Sequence, residues 1–236
     1  MEYMLRSSVI QTLLIFTLSG CATVQNPDPL EAINRKTFAF NEAVDESILS
    51  PVARGYQKVI PEEVRASVSN FYANPRDLLS SISLFLQGRH EEGLSDMLRF
   101  GANTFYGLLG LFDVATDLGY KKHNEDLGQA LGYWGVGPGP YIVWPFLGPA
   151  SARDTTTLVS NILVTPQSLV SNDSVFYSLT ALQVVSIRSE MLAATDVLDD
   201  ASLDKYLFTR DAYLSYREAL IYDGELPPLK DDFEDN

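Results

Sequence analysis

Apolar side chains recur at three- and four-residue steps along most of this chain. The first such run is Leu30, Ile33, Phe40, Val44 and Ile48, with Thr37 in step. It predicts a helix from Leu30 to Ile48 with one apolar stripe. Phe38 lies about 140° round from Ile33 at 100° per residue, opening a second patch that is either packed by another element or offered to lipid. If that surface is offered to lipid, Phe38, Phe40 and Val44 are the residues expected at a membrane interface. Pro51 predicts the end of this helix and Pro61-Glu62-Glu63 the start of the next, with acids at the positive end of the dipole. Glu62 to Leu118 reads as successive helices broken at Asn74-Pro75, at Gly88 and from Gly101 to Gly110, without the period-two alternation of strands. Ser151 to Val164 and Ser174 to Val197 predict further helices, and Ala201 to Ile221 one or two more. The fold class is all-α.

Leu127 to Pro149 breaks the pattern. Six glycines and four prolines are interleaved there with Tyr133, Trp134, Tyr141, Trp144 and Phe146, which predicts an irregular apolar loop. Runs such as Leu78 to Leu86 and Gly107 to Phe112 are apolar but short. Past the amino-terminal leader no stretch reaches the roughly 18 residues a membrane-crossing helix needs.

The leader itself is an apolar run from Val9 to Leu18 behind Arg6, closing on Leu18-Ser19-Gly20-Cys21. About ten apolar residues suit a secretory signal and are too few to span a bilayer. Small residues at 19 and 20 admit the chain to a peptidase groove in extended form. Cleavage would leave Cys21 as an amino terminus able to carry a diacylglyceryl group on sulfur and an acyl chain on nitrogen. Residues 1–20 are therefore expected to be a lipoprotein signal peptide, 21–29 an acylated tether, 30–222 one helical domain, and 223–236 a disordered acidic tail.

Composition narrows the field. The 216 residues after the leader can bury a sizeable core, and a single cysteine means that packing alone holds the fold. A net charge of −14 without clustered Lys or Arg excludes nucleic acid as a partner and argues against recruitment to anionic lipid by basic residues. Contact with lipid must be hydrophobic.

Catalytic patterns are missing. His90-Glu91-Glu92 and His123-Asn124-Glu125-Asp126 lack metal-ligand spacing, and both histidines are expected on solvated faces. There is no Gly-x-Ser-x-Gly elbow, and Gly135-Val136-Gly137-Pro138-Gly139 lacks the Lys and Ser/Thr of a phosphate loop. Arg153-Asp154 reads as a charge pair at a helix start. No catalytic residue, metal ligand or cofactor is expected beyond the acyl chains on Cys21.

Asp28-Pro29-Leu30-Glu31-Ala32-Ile33-Asn34-Arg35, followed by Phe38-Ala39-Phe40-Asn41, resembles the amino-terminal signature of the MlaA/VacJ family of outer-membrane lipoproteins. So does Gly128 to Pro149, with Leu131-Gly132, Gly135-Val136-Gly137 and Gly139-Pro140-Tyr141 leading into Arg153-Asp154. Asn103-Thr104 and Gly110-Leu111-Phe112-Asp113-Val114-Ala115 are similar to its central segment, and Arg210-Asp211-Ala212-Tyr213 is a further patch. The resemblance implies a single ring-like helical domain embedded in the periplasm-facing inner leaflet of the outer membrane, lipid-anchored, beside a trimeric porin. It implies removal of mislocalised phospholipids from the outer leaflet through an amphipathic pore, and their delivery to a periplasmic lipid carrier of the Mla system. Gly135, Gly137, Gly139, Tyr141 and Trp144 are then candidates to border the pore, since glycine opens backbone amides to phosphate and aromatics suit an interface. A membrane-tethered phospholipase and a structural envelope lipoprotein are the alternatives.

Overall fold

The computed structural model describes residues 28–201 and 203–223, with the side chains of 199–201 left undescribed. The leader, Cys21 and the tether to Pro27 lie outside the described residues, as does the tail after Asp223.

Helix α1 (Glu31–Val44) runs through a π-helical turn (Asp45–Leu49) directly into α2 (Ser50–Val59), so Pro51 does not end the helix as its sequence context predicts. A proline ring inside a helix meets the carbonyl four residues back. The wider π turn, closed by Ser50 N–H on the Asp45 carbonyl, precedes it and relaxes that approach. Arg188 pins the turn, donating to both Asp45 carboxylate oxygens at 2.6 and 2.7 Å and to Ser50 Oγ at 2.9 Å.

The expected break at Asn74-Pro75 is also absent: α3 is one helix, Glu62–Leu86, with Pro75 inside. α3 packs against four other helices, and that burial outweighs the roughly 3 kcal/mol an interior proline costs. Gly88, left-handed at φ 80°, does turn the chain, and α4 (His90–Phe105) returns along α3. A short α5 (Val114–Asp117) is capped by the Asp113 carboxylate, and α6 (Leu127–Tyr133) by that of Asp126. β1 (Tyr141–Trp144) and β2 (Gly148–Ser151) form an antiparallel hairpin in register Tyr141 with Ser151 and Trp144 with Gly148. Then come α7 (Thr155–Leu163), a 3-10 turn (Pro166–Leu169), α8 (Asp173–Ala201) and α9 (Lys205–Ile221). The expectation of an all-α chain with a wholly irregular Leu127–Pro149 segment is thus corrected: the fold is mostly helical, and that segment holds α6 and most of the hairpin.

Two asparagines one heptad apart dock the hairpin on α1. Asn34 donates to the Tyr141 carbonyl and accepts from Val143 N–H, both at 2.9 Å. Asn41 donates to the Trp144 carbonyl at 3.0 Å and accepts from Phe146 N–H at 2.8 Å. Beneath them is the apolar cluster of Tyr141, Val143 and Tyr206, with Phe38, Leu207, Tyr213 and Leu214 against it. Among the described residues no helix is long and apolar enough to cross a membrane.

Candidate functional site

Burial in this fold runs opposite to that of a water-soluble helical protein. Among the described residues, 21 buried positions are polar or charged and 11 are apolar, four of those alanine. Large apolar side chains face outward instead. The α3–α4 pair shows how the sequence produces this. On α4, Gly93, Asp96, Arg99 and Asn103 step at helical spacing along the inner face, while Leu94, Met97 and Leu98 point out. On α3, Asn74, Asp77, Ser80, Ser81 and Ser83 face them.

Buried charge of this kind is tolerable only when paired and hydrogen-bonded. Arg99, 1% exposed, donates to both oxygens of Asp113 at 2.9 Å, to the Tyr120 carbonyl at 2.7 Å and to Thr116 Oγ1 at 3.1 Å, and lies 3.4 Å from Asp77. Burial raises the Asp113 pKa, but hydrogen bonds from Thr116, Asn103 and Arg99 win and bring it down to about 2. Asp77 goes the other way, since desolvation outweighs the pull of Lys122 and Arg99 and its pKa is raised. Asn70, Asn74, Asp77, Arg99 and Lys122 line a small polar depression there.

A second cluster ties α6 to α7 and α9. Arg217 forks onto Asp126 at 2.6 and 2.9 Å and reaches Asp154 at 3.0 Å, while Arg153 reaches Asp154 at 2.9 Å. Burial alone would raise Asp154; Arg153 and Arg217 hold it at about 2. Asp126 is likewise lowered, by Arg217 against its burial. The approach is so close that a Cβ on Gly128 would stand 2.5 Å from Asp154 Oδ1. The expected Arg153–Asp154 pair is real, yet Asp154 turns its carboxylate inward and makes no side-chain cap for α7.

The outward apolar surface peaks at the loop after α4. Phe105 (82% exposed), Tyr106, Leu108, Leu109 and Phe112 stand free. Leu108 and Leu109 are left-handed at φ 51° and 60°, a conformation costing about 1–2 kcal/mol per residue. Backbone groups in the loop are nonetheless satisfied: Leu109 N–H bonds the Thr104 carbonyl at 3.0 Å, Gly110 N–H that of Asn103 at 2.8 Å, and Phe112 N–H that of Gly107 at 3.0 Å. The chain holds strain there, closes its polar groups on itself and shows side chains that water disfavours. At the hairpin Phe40, Phe146 and Leu147 are exposed, with Phe40 and Phe146 edge to face at 5.2 Å, and Trp134 and Val136 are exposed in the segment before it.

Of the predicted interface residues, Phe40 is exposed and Val44 partly so, but Phe38 turns inward, its ring edge-on to Tyr206 at 5.6 Å, because the hairpin and α9 cover that face. Of the loop candidates, Gly135 and Gly139 need their left-handed backbone (φ 85° and 67°), whereas Gly137 has an ordinary φ and open space around it. Tyr141 is fully buried in the apolar cluster, while Trp144 lies at the surface with Nε1 on Thr155 Oγ1 at 3.1 Å. Tyr141 therefore packs in the core rather than at the surface.

His90 is exposed as expected, but His123 is not on a solvated face, since its Nδ1 lies 2.9 Å from the fully buried Asp96. Ser80 Oγ bonds the same Asp96 and accepts from Glu125 N–H at 2.9 Å. The aspartate thus stands between serine and histidine. A hydrolase needs serine against the imidazole that takes its proton, so this trio is a structural clamp. Among the described residues no group of His, Cys, Asp and Glu could hold a metal. Sequence reasoning missed the polar inner stripes of α3 and α4; their signal was the spacing of Asp96, Arg99 and Asn103.

Residues 26–220 match the model of the MlaA lipoprotein family. The intermembrane phospholipid transport system lipoprotein MlaA of Shigella flexneri is 30% identical over 249 residues, covering all of this chain and 98% of that protein. Its Escherichia coli counterpart is 29% identical over the same coverage. An uncharacterized Rickettsia typhi protein is 33% identical over 204 residues, 86% of this chain and 80% of its own length. A structure solved in work on the structural basis for maintenance of bacterial outer membrane lipid asymmetry superposes with a TM-score of 0.70 at 30% identity, covering 82% of this chain and 98% of that one.

Proposed function

The chain belongs to the MlaA lipoprotein family, and from that premise we propose how it acts as an intermembrane phospholipid transport lipoprotein that maintains outer-membrane lipid asymmetry. The family is one of transport lipoproteins and not of enzymes. The observation that carries the mechanism is the reversed burial, polar and charged inside with apolar side chains outside. Such an exterior calls for an apolar solvent. The domain sits in the inner leaflet of the outer membrane, held by acyl chains on Cys21 and by apolar loops, with Phe105 to Phe112 and the hairpin patch in hydrocarbon.

The physical task is moving a charged headgroup through hydrocarbon, which costs several kcal/mol for an uncompensated charge. A polar interior removes that barrier while the tails stay in lipid. No energy source is needed for the crossing, so direction comes from a periplasmic carrier that takes the lipid away. A trimeric porin beside the domain would cover part of the apolar exterior.

Both tryptophans test the embedding, because Trp134 is 68% and Trp144 36% exposed. In vesicles of brominated phospholipids their fluorescence is expected to be quenched, more strongly with bromine near the headgroup end of the acyl chain than at its terminus. Emission unchanged by bromine at any depth would remove this face from the membrane.

A further inference from the structure

Arg76 is the one arginine among the described residues that makes no hydrogen bond and no salt bridge with any of them. It lies on α3, the helix that α4, α6, α7 and α8 all touch, yet its side chain is exposed. The guanidinium is thus left uncovered beside the helices packed on α3. The face is fixed by Tyr72, one turn earlier on α3, whose hydroxyl donates to the Leu179 carbonyl of α8 at 2.7 Å. At 100° per residue, Gln183, Ser186 and Glu190 follow Leu179 along that same side of α8 to within about 40°. Arg76 is thus placed on the side of α3 toward α8, and the carboxylates whose charge acts on it are Glu190 there and Asp77 beside it. Enclosure is felt chemically: desolvation by surrounding protein lowers the Arg76 pKa in spite of both carboxylates.

Polar side chains also stand where the 3-10 turn meets α3 and α8. The 3-10 turn Pro166–Leu169 packs against both α3 and α8. From it Gln167, 4% exposed, donates to Gln183 Oε1 at 2.6 Å and keeps its own buried Oε1 without a partner. Glu190 is exposed and likewise makes no hydrogen bond or salt bridge with a described residue. Arg76 and Glu190 thus sense each other's field but do not close into a salt bridge.

We propose that Arg76 and Glu190 form a two-pronged receptor for a zwitterionic phosphoethanolamine headgroup, the guanidinium taking the phosphodiester and the carboxylate the ammonium. A guanidinium offers a planar fork that matches phosphate oxygens, and a carboxylate accepts from an ammonium. A ligand carrying both charges satisfies both prongs, whereas a phosphoglycerol headgroup satisfies one and meets Glu190 with no cation to offer. The inference rests on the transport reading and adds to it a headgroup preference.

The test uses the full acylated chain in detergent, equilibrated with equimolar phosphatidylethanolamine and phosphatidylglycerol vesicles, with bound lipid extracted and quantified. Wild type is expected to enrich phosphatidylethanolamine. Glu190→Gln should return the bound ratio to that of the vesicles, and Arg76→Gln should lower total bound phospholipid about tenfold, the scale of one hydrogen bond to a charged group. Arg76→Lys, which keeps the charge, should retain an intermediate amount and guards against loss of fold. Soluble glycerophosphoethanolamine should compete and inorganic phosphate should not. Wild type binding no phospholipid would overturn the transport reading and this inference together. Wild-type binding that survives Arg76→Gln unchanged, a ratio untouched by Glu190→Gln, or equal competition by phosphate would overturn this inference alone.

Discussion

Replacing Arg217 by Met removes the guanidinium that joins α9 to α6 and α7. It deletes the bonds at 2.6 and 2.9 Å to Asp126 and at 3.0 Å to Asp154 while leaving a flexible apolar chain in its volume. Asp154 keeps Arg153 and the Tyr213 hydroxyl, but Asp126 is left with neutral donors from Gln129 and Thr157. An uncompensated buried charge of this kind costs about 3–5 kcal/mol. For a domain of this size that lowers Tm by about 6–20 °C. The pH dependence follows from the sign of the shifts. In wild type both carboxylates have depressed pKa values, Asp154 at about 2, so their stabilisation is present above the unfolded value near 3.8 and is lost as pH falls toward 2. In the variant, burial without the arginine raises Asp126, which destabilises the fold at neutral pH and is relieved by protonation. The gap between the two proteins is therefore widest at pH 7 and closes as pH falls through about 4. Thermal and urea unfolding in detergent, followed by far-UV circular dichroism from pH 7 to 3, measures it. Melting within about 2–4 °C of wild type, the scale of 1 kcal/mol, with no change in the gap across that range, would refute the pairing argument.

Leu109→Asp is expected to weaken membrane insertion by up to about 3 kcal/mol, read as vesicle partitioning. Leu109→Gly, which relieves φ 60°, should raise fold stability by about 1 kcal/mol while still weakening partitioning. Gly139→Val should cost about 1–3 kcal/mol, because that residue is left-handed and a Cβ there would lie 2.9 Å from Ala152 Cβ, whereas Gly137→Val should melt with wild type. Cys21→Ala should be depleted from the outer-membrane fraction and take up no palmitate, since each buried methylene contributes about 0.8 kcal/mol to anchoring. Retention at wild-type levels would show that the folded domain alone suffices.

Helical periodicity was legible wherever one face stays apolar, as from Leu30 to Ile48. It failed at the two prolines for reasons outside the local sequence: Arg188, far along the chain, secures the π turn before Pro51, and four neighbouring helices pack on α3, which continues through Pro75. The hairpin could have been read from Tyr141-Ile142-Val143-Trp144, a β-favouring run masked by the glycines and prolines around it. Phe38 faces inward because β1 docks on α1 through Asn34, and no periodicity encodes that partner. The polar interior was half visible. Asp96, Arg99 and Asn103 share a face by spacing, but the pairing of Arg217 with Asp126 joins residues 91 apart and exists only once α9 closes on α6.

This chain keeps phospholipid out of the outer leaflet, and the direct measurement is the phospholipid exposed on the cell surface with and without it. Labelling outer-leaflet phospholipid in cells lacking the gene should reveal accumulation that the wild-type chain clears and the Cys21→Ala chain does not. A surface equally free of phospholipid in the presence and absence of the chain would contradict this role.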